Sequence, residues 1–361
     1  MALRFLLVFL LSFLLGGCAG PQKLVLRFNL AQTEESRTTV FPPISDIEIP
    51  RYAYVGELLG ERNFVVADPR KENVFVRAIK WLAGIFDDPN LQTLQRPQNG
   101  VVDAEGRILV TDVSRGAVYV FDSKGGRLDI WEFATHQRRF QSPTGIALGP
   151  EGRVFVADGE LGAVYVLDSQ GHGIAVIGQG QLKRPTGLAF DGATRLLYVA
   201  DTQAHHIAVF DPEGNLVRKI GERGSEPGSF NFPTYLALQN GKLLVADTLN
   251  ARVQILDLAG NGPPVAIGTR GTNKGEFVRP KGVAVDSENN IYVVESYYDH
   301  LLVYNAKGQF LLPIGGTGKE IGRFFLPSGV WVDGSNRVFV ADTFNGRIAV
   351  FQFLGGGDES E

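Results

Sequence analysis

The stretch Phe232–Asp257, FPTYLALQNGKLLVADTLNARVQILD, is one of six near-copies of a single pattern in this chain. Each copy runs from an apolar residue to a proline, a short apolar run and a glycine turn. An apolar strand ending in an acidic residue follows, then a polar corner and another apolar strand. The pattern recurs around Pro97, Pro143, Pro185, Pro233, Pro280 and Pro327, at intervals of 46, 42, 48, 47 and 47 residues. The acidic corner residues Asp112, Asp158, Asp201, Asp247, Glu295 and Asp342 keep the same step. Self-similarity with a period in the forties, in units made of short strands, predicts an all-β chain folded as a six-bladed β-propeller. Six units that close on one another make one ring rather than a string of domains.

Within each unit apolar and polar residues alternate, as in Arg252–Asp257 and Asn290–Glu295, which is the period of a strand. Turns such as Glu151-Gly152 and Asn240-Gly241 join neighbouring strands as hairpins. The acidic corner residue is expected to cap the turn after it by accepting backbone N–H groups. Six equivalent carboxylates are what a repeat produces, whereas a catalytic site needs a departure from the repeat.

Four units close in Ile-Gly, at Ile177-Gly178, Ile220-Gly221, Ile267-Gly268 and Ile314-Gly315. The last unit stops after its third strand, Arg347–Phe353, and the tail GGGDESE offers no fourth. Val55-Gly56 matches the missing piece. Residues 51–59 are therefore predicted to supply the outer strand of the last blade and to cover a sheet edge that would otherwise be free. From Ile220, Ile267 or Ile314 to the next proline is 13 residues, but from Val55 to Pro97 is 42. The surplus holds Val74, Phe75, Ala78, Ile79, Leu82, Ile85 and Phe86 at helical spacing, stopped by Asp87-Asp88-Pro89. This predicts one inserted amphipathic helix over 73–86, bordered by Trp81 and basic residues. It packs on a face of the propeller or acts as a lid or contact surface.

The N-terminus has Arg4, an apolar run Phe5–Leu15 and Gly16-Gly17, the pattern of an export signal. The run is shorter than the roughly 20 residues of a membrane-spanning helix. Leu15-Gly16-Gly17-Cys18 resembles the bacterial lipobox, which implies acylation of Cys18 and a lipid-anchored mature protein. A secreted protein whose signal happens to end near a cysteine is the alternative. Ala19 after the cysteine leans toward the outer membrane, if the host has one. Cys18 is the sole cysteine, so the chain has no intramolecular disulfide and no cysteine-built metal site. The resulting division is a signal peptide at 1–17, a tether at 18–50, the propeller at 51–353 with a helical insertion at about 65–92, and a tail at 354–361. A flexible tether of that size spans on the order of 30 Å, although Leu24–Phe28 would also suit a strand along the propeller's side.

Asp247-Thr-Leu-Asn-Ala-Arg-Val-Gln-Ile-Leu256 and Asp342-Thr-Phe-Asn-Gly-Arg-Ile-Ala-Val-Phe351 resemble the NHL repeat, as does the flanking Phe277-x-x-Pro280-x-Gly-Val-Ala-Val-Asp286. The resemblance covers roughly residues 94–353 and recurs in register. The Trp-Asp signature of WD repeats and the Gly-Gly of kelch repeats are missing. The resemblance implies an NHL-like propeller of the kind found as bacterial envelope lipoproteins. It also brings in relatives that are enzymes, the peptidyl-hydroxyglycine lyases, whose channel holds zinc on histidines.

Such chemistry needs convergent imidazoles. This chain has five histidines, and His206 and His300 fall where Arg252 and Arg347 stand in other units, which reads as structural substitution. None follows a repeat proline on an inner strand. There is no Gly-x-Ser-x-Gly elbow and no phosphate loop. No metal ligands, cofactor or catalytic residues are assigned from the sequence. Candidate binding residues come from departures from the repeat. Arg96, Arg184 and Arg279 precede the proline on alternate blades, Asn99 and Tyr235 replace glycine in opposite blades, and Trp331 replaces alanine. Together they would make a basic, partly aromatic channel mouth suited to a carboxylate, a phosphate or an acidic peptide. Alternatively each arginine pairs with a neighbouring corner carboxylate.

The function expected is a membrane-tethered envelope scaffold that binds another envelope protein or a small anionic ligand on its loop face, without catalysis. The alternative is a propeller lyase or hydrolase with a channel metal. A formal net charge of −4, from 35 basic and 39 acidic residues, together with an export signal, argues against nucleic acid.

Overall fold

The computed structural model describes residues 23–30, 39–45, 49–67 and 91–355. Cys18, the export signal, the predicted helix at 73–86 and most of the tail lie outside the described residues. Six antiparallel sheets are arranged in sequence order around one axis. Blade 1 is Pro97–Val102, Ile108–Asp112, Ala117–Asp122 and Arg127–Trp131. Blade 2 is Pro143–Leu148, Val154–Asp158, Ala163–Leu167 and Gly173–Ile177. Blade 3 is Pro185–Asp191, Leu196–Asp201, His206–Phe210 and Leu216–Ile220. Blade 4 is Pro233–Gln239, Lys242–Asp247, Arg252–Asp257 and Val265–Ile267. Blade 5 is Pro280–Val285, Ile291–Glu295, His300–Tyr304 and Phe310–Gly315.

Blade 6 takes three strands from the C-terminal end, Val330–Val332, Arg337–Asp342 and Arg347–Phe353, and its fourth from the N-terminal side. That fourth strand is Tyr52–Leu58, antiparallel to Arg347–Phe353 with Leu58 opposite Ile348 and Tyr52 opposite Phe353. The closing strand thus falls within the predicted residues 51–59, but Leu58 rather than Val55 takes the place of the closing isoleucine, facing Ile348 as Ile177, Ile220, Ile267 and Ile314 face the second residue of their third strands. Its residues alternate between buried and half-buried, with Tyr52, Tyr54 and Leu58 on the buried side. Two polar links fasten it. The Arg347 guanidinium holds Glu57 at 2.9 Å and Asp342 at 2.7 Å. The hydroxyls of Tyr52 and Tyr292 share a hydrogen bond of 3.1 Å, and Tyr292 donates to Asp286 at 2.7 Å, joining blade 6 to blade 5.

The span read as a tether differs in part. Leu24–Leu26 pairs with Phe64–Val66, and Val40–Phe41 adds a fifth strand to blade 6 beside Tyr52–Ala53. Leu26 and Phe28 pack onto the core between blades 6 and 1. The LVLRF run has enough apolar surface to gain by lying along the propeller's side, as an extended free chain would not.

Second and third strands read as nearly continuous apolar runs because each blade packs a neighbour on both faces, so neither face is left to water. Outer strands such as Leu216–Ile220 keep exposed positions. One more apolar residue, three before each proline, fills the joint between blades: Leu94, Phe140, Leu182, Phe230, Phe277 and Phe324, all buried. The innermost strand ends each sheet, so its free backbone edge faces the axis.

Candidate functional site

Along the axis, the inner strands stack three kinds of position. The residue after each proline is Gln98, Thr144, Thr186, Thr234, Lys281 or Ser328. In three blades its hydroxyl bonds a second hydroxyl just past the acidic corner: Thr186 with Thr202 at 2.6 Å, Thr234 with Thr248 at 2.7 Å, Ser328 with Thr343 at 2.7 Å. The second hydroxyl then donates to the proline carbonyl of the next blade, Pro233 at 2.7 Å, Pro280 at 2.8 Å and Pro97 at 2.8 Å. This belt satisfies inner-strand carbonyls that have no sheet partner on the axial side.

Next comes a waist. At Gly145, Gly187, Gly282 and Gly329 a Cβ would collide with the neighbouring blade's backbone, at Thr186, Thr234, Ser328 and Gln98 respectively. Glycine is required there by close approach. Blades 1 and 4 depart from it, and the departures are complementary. Tyr235 from blade 4 spans the axis and donates its hydroxyl to the Gln98 carbonyl of blade 1 at 3.1 Å. Burial pushes the Tyr235 phenol up, so it remains a donor. Asn99 is buried and accepts the Gly100 N–H at 2.9 Å.

Beyond the waist lies a cavity of about 290 Å³ lined by the remaining inner-strand residues of all six blades, among them Val101, Ile146, Leu188, Leu236, Val283 and Trp331. Trp331 stacks on Phe339, centroids 5.4 Å apart, and is buried rather than displayed. Asn99, Tyr235 and Trp331 thus belong to the waist and the far cavity, while the three arginines belong to the rim on the proline side. The six candidates do not form one mouth.

The rim arginines have separate fates. Each corner carboxylate is buried and accepts backbone N–H groups, in three blades those of Arg96, Arg184 and Arg279 themselves, while Asp247 and Asp342 also take arginine and asparagine side chains. Asp112 and Asp158 also cap the turn after them, at Ser114, Arg115, Glu160 and Leu161. The arginine side chains are left for other partners. Arg184 pairs with Glu160 at 2.8 Å, and Arg96 lies over the Phe344 ring at 4.9 Å. Arg279 is exposed. Two residues on is Lys281, half-buried, which replaces the hydroxyl of the belt. Burial, and after it the Arg279 charge, lowers its pKa. Among the described residues Lys281 makes no ion pair.

A feature of the same rim was missed in the sequence. Two residues past the acidic corner, blades 1 to 3 carry Ser114, Glu160 and Gln203, whereas blades 4 to 6 carry Leu249, Tyr297 and Phe344. Those three are 43%, 57% and 48% exposed, and Phe325, 41% exposed, packs edge-on against Phe344. At this position half of the rim is therefore apolar or aromatic and the other half polar. Comparing this one position between units would have revealed it.

His206 and His300 stand at the start of the third strand, opposite Asp201 and Glu295, as Arg252 and Arg347 stand opposite Asp247 and Asp342. Burial lowers the pKa of both histidines. Among the described residues no three His, Cys, Asp or Glu side chains come together as a metal site would require.

A family described as a 6-bladed beta-propeller matches residues 232–311, which is blade 4 and most of blade 5. The fold is a six-bladed propeller. No curated protein matches the chain. A streptogramin B lyase structure superposes with a TM-score of 0.54 at 13% identity, over 73% of this chain and 83% of that one. A Bacteroides thetaiotaomicron protein of unknown function gives 0.58 at 15% identity, over 74% and 72%. A gluconolactonase from Xanthomonas campestris gives 0.57 at 14%, over 72% and 86%. At these identities the likeness is one of fold alone, and a propeller hosts many unrelated functions.

Proposed function

We propose that this propeller is an exported, lipid-anchored protein of the bacterial envelope that binds a partner on its proline-side rim and does no chemistry of its own. The observation that carries the reading is the one-sided rim, where Leu249, Tyr297, Phe325 and Phe344 are exposed together in blades 4 to 6 beside Arg96 and Arg279. Exposed aromatic and apolar residues grouped with arginine are the composition of protein interfaces rather than of plain surface. The symmetric belt and waist beneath supply a rigid base for them. The lipobox-like run supports attachment through Cys18, and with it a partner in the envelope, at the outer membrane if the host has one. A metal-dependent propeller lyase or hydrolase would instead need converging ligands, and Tyr235 spans the axis where such a site would lie.

The test is cross-linking in the intact envelope, comparing wild type with a triple variant in which Leu249, Tyr297 and Phe344 become Ser, Glu and Gln, the residues of blades 1 to 3. A partner captured by wild type and lost by the variant supports the rim, and equal capture by both overturns it. Cys18→Ser in parallel should release the protein from the membrane fraction.

A further inference from the structure

Lys281, one of the residues that interrupt the axial belt, is a cation with no ion pair among the described residues. In blades 3, 4 and 6 the position after the proline is a hydroxyl that is bonded to its partner past the corner. In blade 5 the corresponding pair is Lys281 and Ser296, and Ser296 turns instead to the Arg279 carbonyl at 3.3 Å. Glu295, the corner carboxylate of that blade, is engaged by the N–H groups of Val278, Arg279 and Tyr297 and, among the described residues, makes no ion pair with Lys281. Placing a half-buried amine beside a second cation with no counter-charge is unfavourable.

We propose that Lys281, with Arg279, seats a carboxylate of the docked partner, an acidic side chain or chain terminus of a peptide, at the mouth of the axial belt. This rests on the binding-rim reading and specifies its chemistry. Burial and then the Arg279 charge lower the Lys281 pKa, and a bound carboxylate would stabilise the ammonium and raise it again. Leu249 and Tyr297, exposed and next in the chain to Thr248 and Ser296, which bond the Pro280 and Arg279 carbonyls, offer a peptide apolar surface that a free inorganic anion would not use. One lysine and one arginine match a single negative charge, whereas a dianionic phosphate group is more commonly met by several arginines.

The experiment uses the full chain in detergent with 13C-labelled lysine, the Lys281 resonance being assigned by its loss in Lys281→Thr. Threonine is the native residue at this position in blades 2, 3 and 4, so the variant keeps the repeat and Ser296 regains a hydroxyl partner. Acetate and inorganic phosphate are titrated separately at constant ionic strength. Expected is a saturable acetate shift at Lys281 with a rise in its pKa, the other lysines not responding. The thermal stabilisation given by acetate should fall about tenfold or more in apparent affinity in Lys281→Thr, as loss of a charge-assisted bond implies. A shift no different from that of the other lysines, or the same acetate stabilisation in the variant, overturns the seat. Phosphate saturating well below acetate overturns the assignment to a carboxylate. Partner capture that needs Leu249, Tyr297 and Phe344 but ignores Lys281→Thr sinks the seat and leaves the rim standing. A clean Lys281 response with no partner captured does the reverse.

Discussion

Tyr235 of blade 4 and Gln98 of blade 1 sit on opposite sides of the ring and meet across its axis, the phenol donating to the carbonyl at 3.1 Å. One side chain thus bridges the waist that glycine narrows in the other blades. Tyr235→Phe keeps the ring and loses the bond, which should cost about 1 kcal/mol in denaturant unfolding. Tyr235→Gly restores the repeat residue but empties the axis, and should cost roughly 3–5 kcal/mol, in the range of other large-to-small core changes. If both variants unfold at the wild-type midpoint, the bridge is not structural.

Closure of the ring depends on the strand Tyr52–Leu58. Leu58 is fully buried in it, and Leu58→Ala should lower stability by about 2–5 kcal/mol. Weakened closure also bares the third strand of blade 6 as a free edge, so the same variant should associate more readily at high concentration. Unfolding midpoint and light scattering read the two effects separately.

The corner carboxylates act as hubs for the backbone. Asp158 accepts N–H groups from Gln141, Ser142, Glu160 and Leu161. Asp158→Ala strands these donors in a buried site and should cost about 3 kcal/mol or more. Asp158→Asn, which keeps one acceptor oxygen, should fall between. Partner binding per folded molecule should not change in either variant, because Asp158 reaches nothing beyond its own loops.

Acid should weaken the protein through His206 and His300. Both have folded pKa values lowered from 6.5 by burial, so the fold favours the neutral rings. Their stabilising contribution is therefore complete above the unfolded value near 6.5 and is lost as pH falls through the lower folded values. Arginine in their place has precedent in blades 4 and 6, where Arg252 holds Asp247 at 2.8 Å and Arg347 holds Asp342. The double variant His206→Arg, His300→Arg should flatten the loss of stability as pH falls below about 6.5. An unchanged slope assigns the acid sensitivity elsewhere.

Lys281 has the same sign. Its pKa is lowered from 10.5, so its protonated form opposes folding at neutral pH. Lys281→Thr should be more stable than wild type at pH 7, and the gap should close as pH rises past the unfolded value. A variant less stable than wild type at pH 7 would mean that the ammonium already has a stabilising partner.

The rim shows how the sequence misleads as well as informs. Arg96, Arg184 and Arg279 stand out in the sequence by their even spacing around the ring, yet their side chains go to an aromatic face, to Glu160 and to solvent. The corner acids, read from sequence as caps for the following turn, also reach back to the N–H groups before the proline. That second duty joins residues 16 or 17 apart, as at Asp112 with Arg96 and Gln95, and no local pattern displays it.

What the sequence alone determined is everything the repeat states about itself: the number of blades, the strands within each, and the closing strand that the last unit's missing fourth strand demands. Those are periodic, short-range properties, and alternation and turn chemistry are written residue by residue. Only the tertiary structure decided which departures from the repeat meet. Tyr235 reaches Gln98 across 137 positions, Leu249, Tyr297 and Phe344 fall on one half of a rim, and Lys281 makes no ion pair among the described residues. These are relations between blades, fixed by the closing of the ring.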